Sequence, residues 1–487
     1  MTGGKPPEGL ERPEPGPAKR LPPLPGGAER LFDVFGKAGE ELYLVGGYVR
    51  DLMMGRYSED IDLATSAPPE RSLEILESNG IKVFPIGMEF GTVAAILQGP
   101  DRRIQAEITT YRTKESYRKG SRHPEVAFGE SLREDLVRRD FTVNAMAMGP
   151  DGQLIDPLDG LADLRRKLIR TTRKAESTFE EDPLRILRAV RFACALGFEL
   201  DADVERAMES MSGCIREVSR ERWKQELDKV MEVESGERVA EAFQIMGRTS
   251  LLCAMVPELR PMVEFSRDRH GSYQGKGVWE HTLDVLRRLD GSTPCTRWAA
   301  LFHDCGKSAT LTVDDDEVHF YGHEKVGEEI FLRAAEELRF PRKERACVAL
   351  LVRNHMRPGQ YEPQWRDSAV NRLARRAGEH LDELLELSKA DISSYVEARA
   401  ARSLQNLYAL RERLDELSSM VEKRLLPRKM GSAIRKALGG REGPVIGRLK
   451  SILEDAVADG ELPAEADKQI YIDYLRRRGL LRREDGD

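Results

Sequence analysis

The stretch LYLVGGYVRDLMMGRYSEDIDLAT, residues 42–65, decides how the first half of the chain is read. LYLV is a short apolar run that predicts a buried strand, and it ends at Gly46 and Gly47. YVRDLMMG predicts a helix, and SEDIDLAT a second strand of alternating character. Two glycines between a strand and a helix let backbone N–H groups approach an anion, and a helix start favours negative charge. On that pattern Gly46, Gly47 and, one turn along, Arg50 are candidate phosphate contacts. A glycine pair after a strand is otherwise just a tight turn; Asp60 and Asp62 change the reading. Residues i and i+2 on a strand share a face, and two carboxylates on one face repel unless a cation lies between them. Paired aspartates near a phosphate turn predict divalent metal and phosphoryl transfer. Glu107, in the run RRIQAEITT, is a candidate third carboxylate if that strand lies alongside.

Outward from this stretch, the first 25 positions hold eight prolines, so residues 1–27 are expected to be a disordered tail. A helix at about 69–79 and the strand-like runs IKVFPIG, GTVAAILQ and RRIQAEITT complete an α+β unit over 28–158. From Asp159 the pattern turns helical, through a segment to residue 258, a histidine-bearing segment over 259–400, and a charged tail over 401–487. A chain of 487 residues suits about three domains. No apolar run approaches the ~20 residues of a membrane helix, and the N-terminus lacks the apolar core of a secretory signal. A cytoplasmic protein without membrane contact is expected. Six cysteines with no CxxC pair fit a reducing compartment and argue against a disulfide scaffold or a cysteine zinc site. The net charge of −7 excludes a globally basic nucleic-acid binder. Basic residues are local: residues 165–191 hold nine Lys/Arg against four Asp/Glu, and 421–451 nine against two.

Residues 46–65 resemble the catalytic signature of the class II tRNA nucleotidyltransferases and bacterial poly(A) polymerases, within the polymerase-beta-like superfamily. The resemblance continues in family order through EDLVRRDFTVNAMAM, DPLDGLADLRRKLIRTT, EEDPLRILRAVRFACALGF and SRERWKQEL, covering about residues 41–230. It implies an α+β fold, with a polymerase-beta-like head built on a mixed sheet, then an all-helical neck and further helical domains. It implies that Asp60 and Asp62 bind Mg2+, that an RNA 3′-hydroxyl attacks the α-phosphate of a nucleoside triphosphate, and that Gly46, Gly47 and Arg50 hold the triphosphate. Arg139, Asp140 and Asn144 match the motif that recognises the ribose. Asp182 and Arg185 match the motif that selects the incoming base. They are read as three apart on one helix, an acceptor beside a forked donor able to match a Watson–Crick edge. Arg188 and Arg191 continue that row towards phosphates or an RNA end. Residues 113–130, including His123, match the family's flexible loop. Glu221, Arg222 and Glu226 match a motif that braces the neck.

A second constellation runs His281, His303–Asp304, His323, His355, Asp391. Neutral imidazole and carboxylate together suit divalent transition metals. The order resembles the HD phosphohydrolase superfamily, which implies a metal site at His281, His303, Asp304 and Asp391. A second metal would be held with His323 and His355, and Lys307 would lie near a phosphate. His270, His319 and His380 are set aside as non-ligands.

The best combined reading is CCA addition to tRNA from CTP and ATP by a head and neck carrying an HD domain. The HD ligands permit a second, phosphohydrolase activity with a metal whose identity the sequence does not give. The basic tail is expected either on the tRNA or as a solvated helix pair. CC-adding, A-adding and poly(A)-polymerase activities are the alternatives, as is an HD phosphohydrolase with an RNA-binding head. The sequence leaves the oligomeric state open.

Overall fold

The computed structural model describes all residues except 1–23, 57, 86, 99–102, 118–123, 130, 266–276, 315–316, 394–396, 421–425, 441, 460 and 482–487. The expectations for most of the proline-rich tail, for His123 and for His270 therefore lie outside the described residues. The chain divides into two compact units, 1–233 with 241–257, and 234–240 with 258–487.

In the first unit, α1 (Glu29–Lys37) precedes β1 (Leu42–Val45), α2 (Gly47–Met53), β2 (Ile61–Thr65) and α3 (Pro69–Ser78). Then come β3 (Lys82–Phe84), β4 (Thr92–Gln98), β5 (Arg103–Thr110), β6 (Arg112–Tyr117), β7 (Pro124–Phe128), α4 (Leu132–Val137), β8 (Ala147–Met148) and β9 (Leu154–Ile155). Seven strands form one mixed sheet in the order β3-β4-β5-β2-β1-β8-β9. Only β2 and β5 pair in parallel; their register sets Asp62 opposite Glu107. Alternation fixes that register. Ile104, Ala106 and Ile108 of β5 are buried, as are Ile61 and Leu63 of β2, whereas Gln105 and Glu107 point to the open face. Each buried Ile or Leu contributes roughly 1.5–3 kcal/mol, and a one-residue slip would turn every carboxylate inward.

Residues 113–130 are expected to form a loop, but β6 and β7 pair there as antiparallel strands. Polar β-strands lack the apolar alternation that betrays a half-buried one. A second correction concerns EEDPLR. Helix α5 (Ala175–Glu181) stops at Asp182, whose backbone is extended, and α6 (Leu184–Leu196) starts after Pro183. Asp182 and Arg185 therefore do not share a helix face. Proline cannot sit inside a helix, and it pushes the preceding residue to extended geometry. The first unit continues with α7 (Arg220–Met231).

Among the described residues, the regular structure of the second unit is helical apart from a short antiparallel strand pair, Thr312–Asp314 with Glu317–His319, where only helix is expected. The helices that matter below are α8 (Val278–Arg287), α9 (Pro294–Phe302), α10 (His323–Glu337), α11 (Arg342–Asn354) and α12 (Leu381–Ser393). A disulfide joins Cys295 of α9 to Cys347 of α11, a pairing that the cysteine count argued against. Their wide separation in sequence, 52 residues, hides a contact made by helix packing. Among the described residues, no helix is long and apolar enough to cross a membrane.

Candidate active sites

The first site lies where β1, the Gly46 turn and β2 meet. Gly46 has φ 69° and caps α2. A side chain there would put its Cβ 2.9 Å from Arg139 Nη1 and 3.5 Å from Asp62 Oδ2, so only glycine fits without displacement. The turn thus abuts both the Arg139 guanidinium and the Asp62 carboxylate. Asp60 is exposed at the mouth of β2, Asp62 is half-buried one step in, and Glu107 faces Asp62 across the parallel pair. Three predicted carboxylates therefore share one open face. Burial, then the neighbouring Asp60 charge and the more distant Glu107, push Asp62 up to about 6; Arg139 and Arg50 pull the other way without prevailing. A carboxylate under that strain is suited to a divalent cation, which removes the repulsion.

The arginines predicted to hold phosphate and sugar are fixed by acids that the sequence reading did not single out. Arg50 donates from Nε to Asp51 Oδ1 at 2.9 Å and from Nη1 to Asn144 Oδ1 at 2.7 Å. Buried Asp135 receives Arg138 at 2.7 Å and Arg139 at 3.0 Å. Asp135 lies in α4 and Arg139 two residues past its end, four residues on, a spacing that still brings the two side chains together. Asp140 is buried and saturated. Arg188 donates to Oδ2 at 2.9 and 2.6 Å, Asn144 to Oδ1 at 3.2 Å, and the Phe141 amide to Oδ1 at 2.8 Å. Burial acts to raise the Asp140 pKa, but the charge and hydrogen bonds of Arg188, with Arg185 and Asn144, together outweigh it and hold the group at about 2. Asn144 thus bridges Asp140 and Arg50.

Asp182 is nearly buried and accepts from Arg222 Nη2 at 2.7 Å, not from Arg185. Arg185 donates instead to the Arg138 carbonyl at 3.0 Å and to Glu181 at 3.1 Å. Arg191 pairs with buried Glu226 at 2.6 Å, and Arg188 lies 3.7 Å from the same carboxylate. The guanidinium carbons of Arg50, Arg188 and Arg191 lie 5.4, 5.3 and 3.7 Å from the centre of the Phe192 ring. Phe192 was missed because an aromatic at helical spacing reads as core.

The second site brings together all six predicted HD residues. His303 and His355 cap the C-terminal ends of α9 and α11, His323 opens α10, and His281 and Asp391 project from α8 and α12. Their ligand atoms fall into two sets, His281–His303–Asp391 and Asp304–His323–His355, each within 4.8 Å. Asp304 joins the sets. Its Oδ2 lies 3.4 Å from His281 Nε2 and 3.2 Å from His303 Nε2, and its Oδ1 lies 3.4 Å from His323 Nε2 and 3.8 Å from His355 Nε2. The Nδ1 atoms of His303, His323 and His355 face the carbonyls of Ala300, Phe320 and Val352 at 2.7, 2.8 and 2.8 Å. A carbonyl only accepts, so Nδ1 carries the proton and each ring turns its Nε2 into the cluster. Burial works against it, yet the Asp304 charge raises His303 above the ordinary imidazole value. Burial, reinforced by His303, lowers His355 to about 4, keeping it neutral. Burial alone would raise Asp304, but His303 and Lys307 hold it well below the usual carboxylate range. The donor set therefore fits divalent metal. Lys307, expected near a phosphate, donates to Asp304 Oδ2 at 2.6 Å. A cavity of about 390 Å³ opens onto these groups, with Tyr321 and Met356 at its wall.

Comparison with known proteins matches three segments of the chain to known domains. Residues 42–170 match the Poly A polymerase head domain, 197–262 the probable RNA and SrmB-binding site of polymerase A, and 277–395 the HD domain. The chain is 44% identical to the CCA-adding enzyme of Lactobacillus gasseri over 215 residues, 44% of this chain and 51% of that protein. It thus spans about half the length of that relative. The match to the CCA-adding enzyme of Streptococcus thermophilus is 30% identical over 463 residues, 91% of this chain and 96% of that protein. Among solved structures, the Bacillus stearothermophilus CCA-adding enzyme in complex with CTP superposes with a TM-score of 0.63. It is 27% identical and covers 93% of this chain and 98% of that one.

Proposed function

The chain belongs to the CCA-adding enzymes, and from that premise we propose that it extends tRNA 3′ ends with C, C and A from CTP and ATP, releasing pyrophosphate. The observation that carries this reading is Asp60, Asp62 and Glu107 on one open face beside the Gly46 turn. Asp60 and Asp62 would hold Mg2+, with Glu107 as the third carboxylate. The bound ion supplies a Lewis acid that lowers the pKa of the attacking 3′-hydroxyl and screens phosphate charge. The backbone of Gly46 and Gly47 approaches the triphosphate, and Arg50, pre-aimed by Asp51 and Asn144, neutralises it. Arg139, held by Asp135 with Nη1 at the turn, contacts sugar or phosphate. Asp140 is a positioning residue: its lone pairs already serve Arg188, Asn144 and a backbone amide. Asp182 and Arg185 select the base from fixed positions, one anchored by Arg222 and the other by the Arg138 carbonyl. Arg188 and Arg191, braced by Glu226, lie behind them. The reaction places the protein in the cytoplasm with tRNA.

The test uses tRNA transcripts lacking CCA, lacking A, and complete, with labelled CTP, ATP or both. Two C and one A, stopping at CCA, are expected. C alone or A alone makes a partial enzyme, and untemplated A tails a poly(A) polymerase; any of these overturns the proposal.

A second activity is favoured by the six HD residues meeting in two sets, with Asp304 in contact with all four histidines. The site would hold divalent metal and hydrolyse phosphoesters. Hydrolysis of a chromogenic phosphodiester, lost in Asp304→Ala, tests it; unchanged hydrolysis in that variant sinks it.

A further inference from the structure

A third group of ligand atoms lies in the second unit: Cys347 Sγ, His380 and Glu383, all within 4.8 Å of one another. His380 Nδ1 lies 3.6 Å from Glu383 Oε2. Ligands of a tetrahedral zinc ion stand about 3.4 Å apart, given bonds of about 2.1 Å. His380 Nδ1 is buried and makes no hydrogen bond in the structure, and Cys347 is 4% exposed. Cys347 is bonded to Cys295 of α9, which lies outside the group of three.

The three helices that meet here also build the HD site. Cys295 and His303 lie eight residues apart along α9, Cys347 and His355 eight apart along α11, and Glu383 and Asp391 eight apart along α12. At 1.5 Å per residue the offset is about 12 Å on each helix. The cysteine-bearing cluster is therefore one level of a three-helix stack, and the HD ligands are the next.

We propose that Cys347, His380 and Glu383, with solvent as fourth ligand, form a zinc-class site that exists only when the Cys295–Cys347 bond is reduced. Sulfur, imidazole and carboxylate together select zinc over magnesium or calcium. A disulfide sulfur is a poor donor, so bond and metal exclude each other. Opening takes two equivalents of a small cellular thiol: the S–S bond breaks, both cysteines become thiols, and the reagent leaves as its own disulfide. Metal binding then releases the Cys347 thiol proton to solvent. In a reducing compartment the metal form prevails, and oxidation replaces a metal link between α11 and α12 with a disulfide between α11 and α9 while freeing His380 and Glu383.

The test is cobalt(II) titration of the full chain, oxidised and after thiol reduction and anaerobic desalting. The HD set has no sulfur, so a sulfur-to-cobalt charge-transfer band reports the new site alone. The band is expected in the reduced protein, with about one further metal per chain, and not in the oxidised one. Cys295→Ser should give the band without reductant, His380→Ala should weaken cobalt binding at least tenfold, and Cys347→Ser should abolish the band. Cys305→Ser, beside the HD ligands, should keep it. No band in the reduced wild type, or a band that survives Cys347→Ser, overturns the proposal. The wild-type comparison decides it even if a variant fails to fold.

Discussion

Arg222 clamps Asp182 from a different helix: Nη2 lies 2.7 Å from Oδ2, with the side chains 14% and 8% exposed. A buried carboxylate stripped of its partner is costly, so Arg222→Ala should destabilise the first unit by about 3 kcal/mol. That corresponds to a fall in melting temperature of roughly 6–12 °C. Adding Asp182→Ala should recover part of the loss. Calorimetry on the single and double variants measures it; a single variant that melts like the wild type would show that the clamp does not hold the joint.

Asp62 carries the cost of its position. Its pKa stands at about 6 in the folded chain against 3.8 for a free aspartate, because burial and Asp60 disfavour the ionised form. The folded state thus binds this proton more tightly than the unfolded state. Stability from the group is present below pH 4 and lost as pH rises through 6. In metal-free protein, Asp62→Asn should therefore stabilise by about 1–2 kcal/mol at pH 7, allowing for solvent screening, while nucleotide incorporation disappears. Glu107→Gln removes one repelling charge and should move the Asp62 titration to lower pH. Carbon-13 NMR of labelled, metal-free protein reads both; an Asp62 midpoint near 4 would contradict the geometry.

Gly46 cannot be enlarged without moving Arg139 or Asp62. Gly46→Ala should cost about 1–3 kcal/mol of stability through its positive φ. It should also lower kcat/KM for CTP roughly a hundredfold, the penalty for misplacing reacting groups by about 1 Å. Steady-state incorporation and melting curves check the two numbers separately. Full activity would mean that the turn does not face the reaction.

Asp304 serves both HD ligand sets through its two oxygens. Asp304→Ala should therefore empty both metal positions, whereas His281→Ala or His355→Ala should empty one and weaken the other. Metal content by elemental analysis, in Cys347→Ser background to remove any sulfur site, distinguishes these outcomes. Equal loss from all three variants would rule out two separate sets.

The strand order was not in the sequence, but the face of the sheet that matters was. Alternation in RRIQAEITT put Glu107 on the polar side, and DID put both aspartates there. That β5 would lie parallel to β2 depends on contacts between distant segments. The HD ligands were legible as residue types in order; their division into two sets depends on segments far apart in sequence, up to Asp391, meeting. The acids that aim the arginines, Asp51, Asp135 and Glu181, were hidden because surface-like charge pairs are the usual meaning of such residues. Pro183 was in plain view, and its rule against helix interiors should have separated Asp182 from Arg185. The Cys295–Cys347 contact has no local signal at all.

The eight-residue offset shared by α9, α11 and α12 constrains chain length more than side-chain identity. Each residue inserted into a helix turns everything beyond it by about 100° and advances it by 1.5 Å. One extra residue between Cys295 and His303, Cys347 and His355, or Glu383 and Asp391 would swing a histidine or aspartate out of the metal cluster. Conservative substitutions on the intervening faces would leave it in place. These three segments should therefore accept changes of residue and reject changes of length, and a deletion scan through the second unit would find them as the places where losing one residue removes HD metal.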